Sequence, residues 1–208
     1  MMHFKLDKSM AEIVGRIISD GNLWSKNGHY EVSIAGSRDD LDYFEQVKAT
    51  LSSYGVHSRI RYRQGALRLI VRSKRFYIFL TEDLKMAAGN GKAASTKIPV
   101  ELLGPTLLNH VVRGIFDGDG TIFFSKKPGV LQYPTIEITT TSRSLALQLV
   151  SLLQTMTFRV TLRSFMENRL TYKIAINGRA MVAFWFHRIG SSHPKKRNRL
   201  RAVALGSI

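Results

Sequence analysis

Two short stretches share one pattern, and together they limit what this chain can fold into. Ile13-Val14-Gly15-Arg16-Ile17-Ile18-Ser19-Asp20-Gly21 and Val112-Arg113-Gly114-Ile115-Phe116-Asp117-Gly118-Asp119-Gly120 each have an apolar body, a glycine in third place, an acid in eighth place and a closing glycine. Their apolar spacing predicts two helices, each ended by a glycine free to adopt the left-handed cap conformation. Gly15 and Gly114 have no side chain, so two such helices can approach closely there. Packed side by side and parallel, their C-terminal ends lie together, which brings Asp20 next to Asp119 at the negative ends of both helix dipoles. That is a poor place for bare carboxylates and a good one for a divalent cation. Hard oxygen donors suit Mg²⁺, which keeps several waters and shares its shell with phosphate.

The two acids lie half a chain apart in 208 residues, enough for one larger domain or two small ones. Lys and Arg number 31 against 15 Asp and Glu, a formal charge of +16, and a soluble chain this basic suits a polyanion. A hydrophobic content of 44% argues against disorder. With no cysteine, disulfide frames and thiolate zinc sites are excluded. His3, His29, His57, His110, His187 and His193 show no metal-type spacing. The N-terminus lacks a signal-peptide core and no apolar run is long enough to span a bilayer, so the chain reads as intracellular (cytoplasm, nucleoid or organelle matrix) and not secreted.

The order of elements repeats. Ser9-Met10-Ala11-Glu12 matches a capping box for a first helix over Met10 to Ser19. Asn22 to Ser25, a turn at Lys26-Asn27-Gly28, and the alternating run His29 to Ala35 predict a pair of strands. Asp39 to Tyr54 reads as a helix stopped by Gly55. Arg59 to Arg63, a Gln64-Gly65 turn and Leu67 to Arg72 form a hairpin, with a helix over Arg75 to Leu84. The periodic pattern breaks between Lys85 and Thr106, which is expected to connect the halves. Thr106 to Asp119, Thr121 to Lys126, Thr135 to Thr141, Leu145 to Met156, a hairpin around Glu167-Asn168 and a helix over Arg179 to Ile189 retrace the series, followed by a basic tail from His193 to Arg199. The fold class is α+β: a duplicated αββαββα unit with halves 1–85 and 106–208 and a connector 86–105.

These motifs and the repeat resemble the LAGLIDADG homing endonucleases of the single-chain, two-motif type. Three positions depart from the family pattern. Arg16 stands where an apolar residue is usual, Arg113 where a small one is, and Ile18 where an acid is common. The resemblance implies two antiparallel β-saddles around two packed central motif helices, related by a pseudo-two-fold, with duplex DNA under the saddles and strands in the major groove. It also implies a monomer that hydrolyses one phosphodiester on each strand of a long asymmetric site.

The resemblance makes Asp20 and Asp119 metal ligands, aided by the main-chain carbonyls of Ser19 and Gly118. Mg²⁺ is the expected ion, Mn²⁺ a substitute, and Ca²⁺ an ion that binds without supporting cleavage. Lys97 and Lys196 (or Lys195) stand where the family places a basic group near each phosphate, and Ser142 and Asp39 near a water-organising position. Strand period puts Arg59, Arg61 and Arg63 on one face, Arg68 and Arg72 on another, and Thr135, Glu137 and Thr139 on a third. These, with Glu31, Ser33, Lys126, Arg163 and Lys173, are the expected DNA contacts, arginine reading guanine bidentately. An RNA-splicing maturase acting on intron RNA, or a non-cleaving DNA-binding protein, is the alternative on the same scaffold.

Overall fold

The computed structural model describes residues 4–63, 65–89, 95–166 and 168–206. The predicted turns at Gln64 and Glu167 and the connector stretch 90–94 fall partly or wholly outside them. Two compact units emerge, Met1–Lys92 with Ile98–Gly118, and Ala93–Lys97 with Asp119–Ile208.

In the first unit, α1 (Lys8–Asp20) runs directly into β1 (Gly21–Lys26) and β2 (His29–Gly36). Then come α2 (Leu41–Ser53), β3 (Ser58–Arg63), β4 (Ala66–Val71) and α3 (Lys74–Ile78), which widens into a π-helical turn over Phe79–Asp83. The strands form an antiparallel sheet in the order β1-β2-β4-β3. Alternation decides its faces: Leu23, Val32, Ile34, Leu67, Leu69 and Val71 are buried under the helices. The β1–β2 turn is made by Asn27 and Gly28, both at positive φ, the geometry a two-residue hairpin needs. Helix α4 (Leu108–Asp119) also packs in this unit up to Gly118, although in sequence it opens the second repeat. The repeat and the compact units therefore divide the chain differently, and the glycine contacts of α4 with α1 are the reason.

The second unit carries β5 (Gly120–Lys127), β6 (Val130–Thr140), α5 (Arg143–Thr155), β7 (Val160–Met166), β8 (Leu170–Asn177), α6 (Arg179–Arg188) and α7 (Pro194–Ala204). Its sheet has the order β5-β6-β8-β7, the connectivity of the first sheet used again. Ile122, Ile136, Ile138, Ile174 and Ile176 face its core, with Trp185 of α6 fully buried. No described helix is long and apolar enough to cross a membrane.

Three local expectations are corrected. The N-cap of α1 is Asp7, whose carboxylate accepts from the Met10 N–H, so Ser9 and Glu12 form no capping box. Asp is as good a cap as Ser, and Glu12 is drawn instead to Arg113 on α4, at 3.3 Å. Gly21 is extended (φ −83°, ψ 153°), and Gly120 is likewise outside the left-handed region, because each motif helix feeds straight into a strand. Gly21 is required for room: a Cβ there would fall 2.4 Å from the Ile17 carbonyl oxygen. The basic tail is a helix, α7, begun by Pro194 at its first position and held to β5 by Arg199, which donates to the Ile122 carbonyl oxygen at 3.2 Å.

Candidate metal centre and nucleic-acid face

The centre of the first unit is the pairing of α1 with α4. Helix α1 is buried almost all round, as a helix between a sheet and a second helix must be. A Cβ on Gly15 would meet the Val111 carbonyl oxygen at 2.2 Å, and one on Gly114 the Glu12 carbonyl oxygen at 2.1 Å. One turn further along, a Cβ on Gly118 would fall 1.9 Å from Ser19 Oγ and 2.7 Å from Asp20 Oδ2. The contacts advance together along both helices, so these run parallel, as the motif spacing predicts. Only glycine at position 118 leaves the space that the Asp20 carboxylate occupies. Asp119 follows Gly118 as the last residue of α4.

Asp20 is well suited to a hard cation. Its side chain is 30% exposed, and it stands at the helix end where backbone carbonyls lack helical partners. No group of three or more His, Asp or Glu side chains among the described residues is arranged to hold a metal. The Asp20 carboxylate and the carbonyls at the helix end offer only oxygen atoms, the kind of donor that binds Mg²⁺ or its analogues when phosphate and water complete the shell. The residues present fit such an ion.

Beneath Asp20 lies a polar cluster that sequence reasoning marked only as a departure. Arg16 is 4% exposed, with its guanidinium carbon 5.5 Å from the Tyr43 ring centre and 5.8 Å from that of Phe44. Its Nη1 lies 2.9 Å from Asp20 Oδ2. Tyr43 donates its hydroxyl to Asp117 Oδ2 at 3.3 Å, and Asp117 is 1% exposed. Burial first, and then the Asp117 charge, push the Tyr43 hydroxyl far above its ordinary range, so it stays protonated. One turn earlier on α1, Glu12 meets Arg113, which also lies 3.5 Å from His110, and burial followed by the Arg113 and Lys8 charges holds His110 below its usual value. The signal in the sequence was a charged residue inside each motif body.

The outer face of the first sheet is basic. Arg59, Arg61 and Arg63 are exposed on β3, and Arg68 stands directly across from Arg61 on β4. Arg72 is exposed and pairs with Glu31 at 3.3 Å. With Tyr62 and His57 they line an open groove of about 640 Å³. Two like charges placed opposite each other weaken a sheet, so the Arg61–Arg68 pair does not serve stability. Ser33 shares this face by register but is only 5% exposed.

The outer face of the second sheet is mixed. Thr135 and Glu137 face Phe123 and Thr121 on β5, and Thr139 and Arg163 flank Lys173 on β8. Lys173 is tied to Glu137 at 3.4 Å and lies over the Phe165 ring at 5.1 Å. Thr135 is 4% exposed and bonded to Asn177, which withdraws it as Ser33 is withdrawn. Lys126 is exposed at a bulge in the β5–β6 pairing.

Lys97 is exposed within the connector, and Lys196 lies half-buried on α7. Ser142 is fully buried: it caps α5 and donates to the Thr96 carbonyl oxygen at 2.6 Å, which makes it structural rather than water-organising. Asp39 is exposed in a short 3-10 turn capped by Ser37.

Comparison with known proteins fits this architecture. Residues 107–190 match the LAGLIDADG-like domain family. No curated protein matches the chain in sequence. Among solved structures, mesophilic variants of the homing endonuclease I-DmoI superpose with a TM-score of 0.67 at 20% identity, covering 93% of this chain and 97% of theirs. The meganuclease I-AabMI bound to uncleaved DNA gives 0.64 at 13%, covering 94% and 89%. I-SmaMI bound to uncleavable DNA gives 0.64 at 13%, covering 98% and 89%. I-DmoI has been solved with DNA and Ca, with DNA and Mn, and, as a variant, with its target DNA in the presence of Mg. Residues 107–190 thus match a LAGLIDADG-like domain, and the chain shares its fold with solved homing endonucleases.

Proposed function

We propose that the protein is a site-specific, metal-dependent endonuclease acting on double-stranded DNA as a monomer. The observation that carries this reading is Asp20 seated against Gly118 at the joined ends of two glycine-packed helices, with α1 continuing without a linker into a sheet whose outer face is a row of arginines. The acid and the basic face are then held in fixed register by one helix-to-strand junction.

On this reading Arg59, Arg61, Arg63 and Arg68 grip the first half of a target. Arginine can pair bidentately with guanine in the major groove, and charge on phosphate supplies most of the affinity. Thr139, Arg163, Lys173, Glu137 and Lys126 face the second half, where threonine methyls favour thymine contacts. Asp20 and Asp119, with the carbonyl oxygens of Ser19 and Gly118, hold the cation. A bound divalent ion would lower the pKa of water and stabilise charge on the scissile phosphate. Mg²⁺ is the proposed ion, with Mn²⁺ able to replace it and Ca²⁺ supporting binding only. Lys97 and Lys196 are proposed to balance phosphate charge nearby. The substrate places its action in an intracellular, DNA-containing compartment.

The test is digestion of a randomised DNA library by the full chain in Mg²⁺, in Mn²⁺, in Ca²⁺ and in EDTA, with the ends sequenced. Cuts at one recurrent sequence in Mg²⁺ or Mn²⁺ but not in Ca²⁺ or EDTA support the reading; DNA left intact in Mg²⁺ and Mn²⁺ refutes it. Intron RNA offered to the same preparation tests splicing activity.

A further inference from the structure

Each motif acid has a residue one helical turn before it, on the same helix face. For Asp119 that residue is Ile115, fully buried and apolar. For Asp20 it is Arg16, also buried but charged. The two acids therefore stand on different supports, although the helices that carry them follow one pattern.

Burying a guanidinium is costly unless its donors are used. Arg16 Nε has no hydrogen-bond partner among the described residues, and Nη1 faces Asp20 at 2.9 Å without hydrogen-bond alignment. Its guanidinium carbon lies within cation–π distance of both the Tyr43 and Phe44 rings. A side chain held this way contributes charge rather than a hydrogen-bond network, and the charge is aimed at the Asp20 carboxylate. Burial to 4% exposure beside two aromatic rings holds it there.

We propose that Arg16 is a positioning residue and a built-in counter-ion for Asp20, one that competes with the divalent cation and weakens metal binding on the Asp20 side. This rests on the reading of Asp20 as a metal ligand. A cation arriving at Asp20 meets the fixed positive charge of Arg16. The same guanidinium neutralises Asp20 before metal arrives and holds its carboxylate in one rotamer.

The test is Mn²⁺ binding to the full-length chain, followed by the electron paramagnetic resonance signal of the free ion. Arg16→Met keeps length and packing while removing charge; Arg16→Gln removes charge but keeps a polar tip, a second route should Met disturb the core. Both are expected to bind Mn²⁺ about tenfold more tightly than wild type, in the usual range for coupled sites. Asp20→Asn in the Arg16→Met background should abolish the gain. A merely structural role for Arg16 would shift the melting temperature and leave the Mn²⁺ affinity where it was, and that result overturns the proposal. If neither wild type nor variants take up Mn²⁺, the metal reading of Asp20 falls, and the proposal with it.

Discussion

Gly114 and Glu12 touch backbone to backbone: a Cβ on Gly114 would lie 2.1 Å from the Glu12 carbonyl oxygen. Gly15 stands in the same relation to Val111. Since the contacted atoms are main chain on rigid helices, neither side can yield without moving a helix. Gly114→Ala and Gly15→Ala should each cost about 1–3 kcal/mol or more, the usual penalty of overpacking. Urea denaturation of both variants measures this, and a stability loss below about 0.5 kcal/mol, the ordinary scatter of harmless substitutions, would contradict the packing.

Tyr43 links α2 to α4 through Asp117. Tyr43→Phe removes one donor from a buried carboxylate and should cost about 1–3 kcal/mol. The Tyr43 hydroxyl is raised in the folded state, so its contribution is fully present below its ordinary value of 10.0 and is lost as pH rises beyond it. Wild type should therefore lose stability above about pH 10, and Tyr43→Phe should lose less. Chemical denaturation on either side of that pH compares the two.

Asp7 caps α1 and also accepts from Tyr54. Burial opposes its ionisation, but the Tyr54 hydroxyl, the Met10 N–H and the Lys5 charge outweigh burial and hold the carboxyl below its ordinary value. A depressed acid stabilises the fold above its ordinary value and ceases to do so as pH falls through the lower, folded one. Burial and the Asp7 bond push Tyr54 up to about 12, so its share is lost only in strong alkali. Asp7→Ala should cost about 0.5–2 kcal/mol at neutral pH. That deficit should shrink when melts are repeated in acid, at about pH 2–3, below the ordinary aspartate range; a deficit independent of pH would count against the ionised cap.

The two sheet faces differ in charge, so their salt responses should differ. Arg61→Ala or Arg59→Ala should reduce the slope of log affinity against log salt by about one if the residue meets phosphate, or relax one base position if it meets an edge. Thr139→Ala should leave the slope unchanged. Fluorescence anisotropy on labelled duplex across a salt series reads this; unaltered slope and specificity in both arginine variants would remove the first sheet from the interface.

The motif pair made the parallel helices and their glycine contact legible, because a glycine at the same place in both apolar bodies has few other uses. Strand alternation gave the outward arginines, since period two is set by the backbone. What stayed hidden depends on contacts between distant segments. Ser9 and Asp7 are equally good caps by type, and only the approach of Arg113 explains why Glu12 points elsewhere. Ser33 and Thr135 have the right register, yet neighbours cover them, and register alone does not show cover. Tyr43 and Asp117 lie 74 positions apart in the chain. The helical tail could have been read from Pro194 followed by a run without glycine, a start signal that its dense positive charge obscured.

Binding and cleavage measured side by side in Asp20→Asn and in Asp119→Asn bear most directly on the role proposed for the two motif acids. Each exchange preserves size and removes one carboxylate charge. Duplex affinity within a few-fold of wild type, with no double-strand cleavage in Mg²⁺ or Mn²⁺, is the expected result for either variant. Double-strand cleavage at the wild-type rate by either one would contradict it.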